Sequence, residues 1–154
     1  MTEPFFLFLD FDGVCHPGFP RDDRTDEQNR HFSCLPRIEA VLREHPDVLV
    51  VISSDWRVNY SLEELRQRFS EDLRSRVVGT TMKAKPSWEH GLRQKQVEAY
   101  LRDAGHAEAR WIALDDYADN FEEGAPLVLC NDEFAEREEA LLREMLRPIR
   151  ILKK

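Results

Sequence analysis

Residues 5–16 read FFLFLDFDGVCH. Five apolar residues run into an acid, an aromatic residue, a second acid and a glycine. A short continuous apolar run of this kind suits a strand buried on both faces. Successive side chains of an extended chain alternate, so positions i and i+2 point the same way. Asp10 and Asp12 can therefore share one side while Phe11 packs elsewhere. Gly13 lets the chain turn away without placing a side chain beside them. The plain alternative is a pair of solvated turn residues.

Working outward, the chain alternates strands with helices. The spacing of Leu35, Ile38, Val41 and Leu42 predicts a helix over 35–45, stopped by Pro46. VLVVIS, 48–53, reads as a second buried strand rich in β-branched residues. SLEELRQRF, 61–69, opens with Ser61 as N-cap and Glu64 three residues on, a capping box. RVVG, 76–79, is a weak third strand, and LRQKQVEAYLRDAG, 92–105, is a helix ended by Gly105. RWIALDD, 110–116, is a fourth strand that again ends in two acids. PLVLCND, 126–132, is a fifth, and 132–146 forms a final amphipathic helix whose Glu138, Glu139 and Glu144 are its wet face. This order predicts an α/β fold with a mostly parallel five-stranded sheet and helices on both faces. No linker or repeat divides the chain, so 1–154 is expected to be a single domain. Segment 13–33 has no periodicity and is long for a connection, which predicts a flap-like loop.

Bulk properties narrow the function. At 42% hydrophobic and 34% charged, the 154 residues read as globular. No apolar run approaches the roughly 20 residues of a membrane helix. The start, Met1-Thr2-Glu3-Pro4, lacks the basic region of a signal peptide, so a cytoplasmic protein with no membrane partner is expected. Acids outnumber bases 30 to 22, giving a formal net charge of -8. Such a field repels a long polyanion, so no extended nucleic-acid surface is expected, while a small anionic substrate remains compatible. Cys15, Cys34 and Cys130 are widely spread, without the spacing of a zinc site or disulfide framework, and read as apolar fillers. Cys15, near the two acids, is the one with a conceivable reactive role.

In an open parallel sheet, ligands bind at the carboxyl ends of the strands. Those ends carry Asp10 and Asp12, Ser53 and Ser54, Asp115 and Asp116, and Asn131 and Asp132. Four or five carboxylates would then share one small space, which is unfavourable unless they are protonated or neutralised by a cation. Oxygen ligands of this type suit magnesium.

FLDFDGV resembles the first motif of the haloacid dehalogenase (HAD) superfamily, VVISS its second, and WIALDD its acidic fourth. More narrowly, LDFDGVCHPG, VVISSDWR, RVVGTT and WIALDD are similar to the HAD domains associated with bacterial RNA-repair, or Swiss Army Knife, proteins. The resemblance implies the Rossmann-like HAD fold with the first strand central and no large cap domain. It implies a magnesium-dependent phosphohydrolase acting on a phosphomonoester, a small molecule or a nucleic-acid end. Asp10 would be the nucleophile and Asp12 the general acid and base. Magnesium would be held by Asp10, the backbone carbonyl of Asp12, and one or both of Asp115 and Asp116. Ser53 would bond a phosphate oxygen, with Ser54 as second choice. The third motif is where this chain departs from the pattern. Arg93 ranks first as its cation because it lies one turn before Val97, Lys95 second, and Lys85, in a Lys-Pro dipeptide, third.

Competing readings stand beside these. Ser53 could merely cap the segment that follows. Trp56 and Arg57 could meet a base and a second phosphate, or be a packed ring and a surface ion pair. His16 reads better as a satisfied loop histidine than as a substrate contact, and Asp119 and Asn120 better as loop caps than as metal ligands. At the level of function, one alternative is a HAD-fold binding or regulatory module with weak or no catalysis. Another is a signalling receiver domain, which would want an acid after the third strand, where this chain has VVGTT.

Overall fold

The computed structural model describes residues 3–84 and 87–147. Strands β1 (Phe5–Leu9), β2 (Val48–Ile52), β3 (Val77–Thr80), β4 (Trp111–Asp115) and β5 (Leu127–Leu129) pair in parallel throughout, in the order β3-β2-β1-β4-β5. The chain winds outward from β1 to β3, then returns to the other flank of β1. The strand order therefore reverses between β1 and β4, the crevice where such sheets bind ligands.

Helices α1 (Asp26–Asn29), α2 (Leu35–Glu44), α3 (Leu62–Arg66), α4 (Leu92–Asp103) and α5 (Glu136–Leu146) complete the fold. Leu7 and Leu9 of β1 pack with Leu35, Ile38 and Leu42 of α2 and Leu142 of α5, whereas Phe6 and Phe8 pack with Val97 and Leu101 of α4. The period-two alternation of β1 thus feeds two cores, one on each face. Phe6, Leu7, Phe8 and Leu9 are each at most 2% exposed. Burial of one such side chain contributes about 1.5–3 kcal/mol, more than the roughly 1–2 kcal/mol lost in fixing each residue's backbone.

Several details differ from the sequence reading. The helix expected over 61–69 keeps its capping box, with Ser61 Oγ accepting from Glu64 N and Glu64 Oε1 from Ser61 N, but ends at Arg66. Beyond it, Ser70 donates both its N–H and its hydroxyl to the buried Glu39 carboxylate, at 2.7 and 2.9 Å, and a 3₁₀ turn follows. The last helix starts at Glu136 rather than 132 because Asp132 adopts a left-handed φ of 70°. Segment 13–33 is anchored rather than loose. Val14 and Cys15 are fully buried, Thr25 and Gln28 form a capping box on α1, and Gly18 N–H donates to Asp132 Oδ1 at 2.8 Å. No cap domain occurs among the described residues, and no helix among them is long and apolar enough to cross a membrane.

Arg76 ties the end of α2 to the start of β2. Its guanidinium donates to the carbonyls of Leu42 at 2.6 Å, His45 at 2.6 Å and Val48 at 2.8 Å. A cation on the open carbonyls of a helix end satisfies them and complements the helix dipole. Arg76→Ala should lower the unfolding free energy by about 2 kcal/mol in a urea titration, since hydrogen bonds to a charged group contribute about 1.5–3 kcal/mol. Arg76→Lys should recover only part of this, because one ammonium cannot span three carbonyls. A loss no larger than that of an ordinary surface substitution would show the clamp to be idle.

Candidate active site

At the end of β1, the Asp10 N–H donates to Leu114 O of β4 at 3.0 Å, and Ser53 N–H donates to Leu9 O at 2.9 Å. Asp10 is therefore held between the two inner neighbours of β1. Its Oδ1 accepts the N–H of Phe11 at 2.8 Å. Phe11 is fully buried in the core, while Asp10 and Asp12 line one cavity of about 380 Å³. Gly13 then turns with φ of 77°, and a Cβ there would fall 2.2 Å from Asp116 Oδ2. Both the left-handed backbone and the missing side chain are needed for Asp116 to close over the turn. Cys15 is buried, its thiol pushed well up by that burial and donating to the Asp10 carbonyl at 3.6 Å, so it is an inert filler.

Asp10, Asp115 and Asp116 each offer a carboxylate oxygen within 4.8 Å of the others. Burial first, and the Asp115 charge second, push the Asp10 carboxyl well above the usual carboxylate range. Burial raises Asp115 to about 6 against the pull of Arg93, and raises Asp116 as well. Asp115 Oδ1 accepts from Tyr117 N at 2.9 Å, but its buried Oδ2 has no hydrogen-bond partner among the described residues. Arg93, near the start of α4, places Nη1 at 3.8 Å from both Asp10 Oδ1 and Asp115 Oδ2, and its Nη2 donates to Asp55 Oδ1 at 3.0 Å. Nη1 is also buried without a hydrogen-bond partner among the described residues. Burial works against the Arg93 charge, yet Asp10 and Asp115 more than offset it and raise its pKa. An orphaned carboxylate oxygen and an orphaned guanidinium nitrogen face one small space. Buried polar atoms seldom go unpaired unless a ligand or water completes them. The all-oxygen donor set fits a hard cation such as magnesium, and the Arg93 nitrogen fits an anion.

Asp12 stands at the rim with both oxygens occupied. The Phe32 N–H donates to His16 Nδ1 at 3.0 Å, which leaves the ring proton on Nε2 to donate to Asp12 Oδ1 at 2.8 Å. Trp56 Nε1–H donates to Asp12 Oδ2 at 3.0 Å. The His16 bond, ahead of the opposing cost of burial, holds the Asp12 carboxyl below its usual range. His16 and Trp56 are themselves wedged among Phe11, His31 and Phe32. His16 is thus the satisfied histidine expected, and its satisfaction orients an acid. The sequence reading missed that role and the ion pair of Asp55 with Arg93. His16 lies at i+4 from Asp12, a signal within reach of the sequence; Trp56 lies 44 residues away, and nothing local points to it.

The other expected residues disperse. Ser53 is buried one position past the Leu9–Ile52 pairing, beside Asp10 in register, whereas Ser54 Oγ accepts from Trp56 N and caps a 3₁₀ turn. Arg57 is not a free phosphate ligand. It is 1% exposed, donates to Met82 O, Ser54 O and Gln96 Oε1, and pairs with the exposed Asp55 at 3.5 Å. Lys95 points out of the site to Glu89 Oε1 at 2.7 Å, two residues and some 200° around α4 from Arg93. Lys85 lies outside the described residues. Among the described residues the fourfold or fivefold acid cluster narrows to three, because Asp132 turns away to cap Gly18 and His16 and Trp56 hold Asp12 at the rim. Asp119 pairs with His90 at 2.6 Å, and Asn120 lines the cavity.

A family model described as the HAD domain in Swiss Army Knife RNA repair proteins matches residues 6–138. The chain belongs to this family. No curated protein and no solved structure matches it. The matched span of this HAD domain runs from β1 into α5 and takes in every residue of the acid cluster. Membership makes it a phosphohydrolase-like module of the HAD type.

The crowding of carboxylates has a measurable sign. Folded Asp115 keeps its proton up to about 6, whereas the unfolded chain releases it near about 3.9. The folded state binds more protons between those values, so this contribution to stability is lost as pH rises through the window. In metal-free buffer, Asp115→Asn should melt above the parent at about pH 7.5, and that advantage should shrink by about pH 4.5. An advantage that instead grows on acidification would show the Asp115 charge to be well accommodated.

Proposed function

We propose that this HAD domain is a magnesium-dependent phosphohydrolase that cleaves a phosphomonoester through an aspartyl-phosphate on Asp10. The observation that carries the reading is the paired orphan: Asp115 Oδ2 and Arg93 Nη1, both buried and without a hydrogen-bond partner among the described residues, flank Asp10. Asp10, Asp115 and Asp116 would hold the cation, with the Asp12 backbone carbonyl expected to complete them. Bound there, magnesium would neutralise the carboxylates and the phosphate they face.

Phe11 N–H anchors Asp10 Oδ1, which leaves Oδ2 as the attacking oxygen. It forms a bond to phosphorus as the ester P–O bond breaks. The leaving oxygen takes a proton from Asp12, which then removes a proton from the water that attacks the aspartyl-phosphate. His16 and Trp56 favour the ionised Asp12 of the second half. The negative phosphate of the substrate pushes Asp12 towards the protonated form that the first half needs. Arg93 would stabilise charge on the equatorial phosphate oxygens, and Ser53 would donate its hydroxyl to one of them. Ser54 and Arg57, tied into the structure, shape the site behind them.

Asp10→Asn should abolish magnesium-dependent phosphate release while leaving the fold intact. Magnesium should raise the melting temperature of the parent by mass action, and Asp115→Ala with Asp116→Ala should erase that rise. Phosphate release equal to the parent's from Asp10→Asn would overturn the assignment. A binding or regulatory module without catalysis would keep the magnesium shift and release no phosphate from any ester.

The third-motif cation has its own test. Arg93→Ala should lower kcat more than it raises KM, and Arg93→Lys should recover part of the rate. Lys95→Ala should stay within about twofold of the parent, since exposed ion pairs contribute little. If Lys85→Ala proves the most damaging of the three alanine variants, the Lys-Pro dipeptide is the working motif.

A further inference from the structure

The chemistry above uses the buried end of the cavity and leaves its mouth unexplained. The cavity's volume of about 380 Å³ lies at the low end of the roughly 300–1,000 Å³ of small-molecule sites. It equals about a dozen of the ~30 Å³ shares that water takes in the liquid. A phosphate group alone would leave most of that space open. The lining changes character along its depth. Asp10 and the Nη1 of Arg93 are buried, while Trp88 and Tyr117 are exposed at the open end.

Trp88 is 83% exposed, whereas Trp56 and Trp111 are partly buried. A tryptophan left this open keeps about 1.5–3 kcal/mol of burial unrealised, so its place on the lining of the cavity calls for an occupant. Tyr117 meets Trp88 edge-to-face, with ring centroids 5.6 Å apart and planes at 81°. One ring steadies the other while the broad indole face stays free. The segments that carry them are locked together. His90 bonds Asp119 at 2.6 Å and Glu122 at 3.2 Å, and Gly91 N–H donates to Asp119 O at 2.7 Å. These bonds fasten the stretch before α4 to the turn after β4, the two segments that carry the aromatic pair.

We propose that Trp88 and Tyr117 form a stacking platform for a nucleobase, and that the phosphomonoester taken by this site is borne by a nucleotide whose base is unpaired. The inference rests on the phosphohydrolase reading for the fate of the phosphate. Stacking on the platform needs a flat π-face at a distance from the phosphorus, and a nucleotide supplies a sugar as the spacer. A phosphotyrosyl ring joins its phosphate oxygen directly and would sit close to Asp10 and Arg93, short of the platform. Sugar phosphates offer no π-face. The walls admit one nucleotide and not a track of them, since Asp55 and Asp116 line the cavity and the chain carries a net charge of -8. A base is neutral and does not feel that field, whereas further phosphates would be repelled.

The test measures equilibrium binding by calorimetry to the intact chain with Asp10→Asn, in magnesium, so that no ligand turns over. A nucleoside monophosphate should bind at least tenfold tighter than ribose 5-phosphate. Trp88→Ala added to that background should cut the preference about five- to 150-fold, the range spanned by stacking on one aromatic side chain. Trp88→Phe should keep most of it. Tighter binding of a free mononucleotide than of a short single strand with a terminal phosphate identifies a metabolite source, and the reverse identifies a strand end. Either result supports the platform. Equal affinity for ribose 5-phosphate and the mononucleotide overturns it, as do a preference that survives Trp88→Ala and tightest binding by a phosphotyrosyl peptide or a blunt duplex end. If nucleotides bind as stated but the parent releases no phosphate from them, the platform stands and the phosphohydrolase reading falls. If the parent hydrolyses sugar phosphates and nucleotides alike with no binding preference, the hydrolase stands and the platform falls.

Discussion

Everything near the mouth of the sheet answers to the repulsion among Asp10, Asp115 and Asp116. Three carboxylate oxygens within 4.8 Å, two of them on buried residues, are unfavourable when all are charged. The fold tolerates them because the strong, non-directional contribution lies elsewhere, in the two apolar layers that β1 feeds. Arg93 meets part of the excess charge at 3.8 Å from two of the acids, too far for hydrogen bonds. The site is therefore under-neutralised and keeps room for a cation and an anion together. That unfinished electrostatic balance is the property a phosphate-handling site needs, and a structural ion-pair network would have closed it.

Around this centre the structure separates groups that act from groups that hold. Asp12 has both oxygens gripped by His16 and Trp56, whose rings pack among aromatic neighbours. Arg57 resembles a phosphate ligand by residue type, yet it spends its donors on backbone and on Gln96. Burial lowers its pKa, with the like charge of Arg93 second. It serves as a brace between the turn after β2, the segment after β3 and α4. Arg93, by contrast, keeps a buried inner nitrogen with no hydrogen-bond partner among the described residues.

Much of this was legible before any coordinates. The strand and helix order, the central place of β1 and the shared facing of Asp10 and Asp12 follow from periodicity, which is local. The side of α4 that carries Arg93 was also legible, because that residue stands one turn before the buried Val97, whereas Lys95 falls on the wet side. The inward end of the 61–69 helix was not legible. It depends on Glu39, 31 residues away, accepting two bonds from Ser70. Nor was the retreat of Asp132, whose left-handed backbone sends its carboxylate to Gly18, 114 residues distant.

By itself, then, the sequence determined which residues alternate, which segments bury both faces, and that acids end β1 and β4. Covalent geometry and hydrophobic patterning act over a few residues, and those act alike in any fold. Only the tertiary structure decided which acids meet, that Trp56 reaches Asp12, that Arg57 is walled in, and that Trp88 stands beside Tyr117 at the mouth of the cavity. Each of these is a contact between segments far apart in the chain. It exists because the strand order reverses between β1 and β4, and that reversal is set by how the whole sheet buries its two faces.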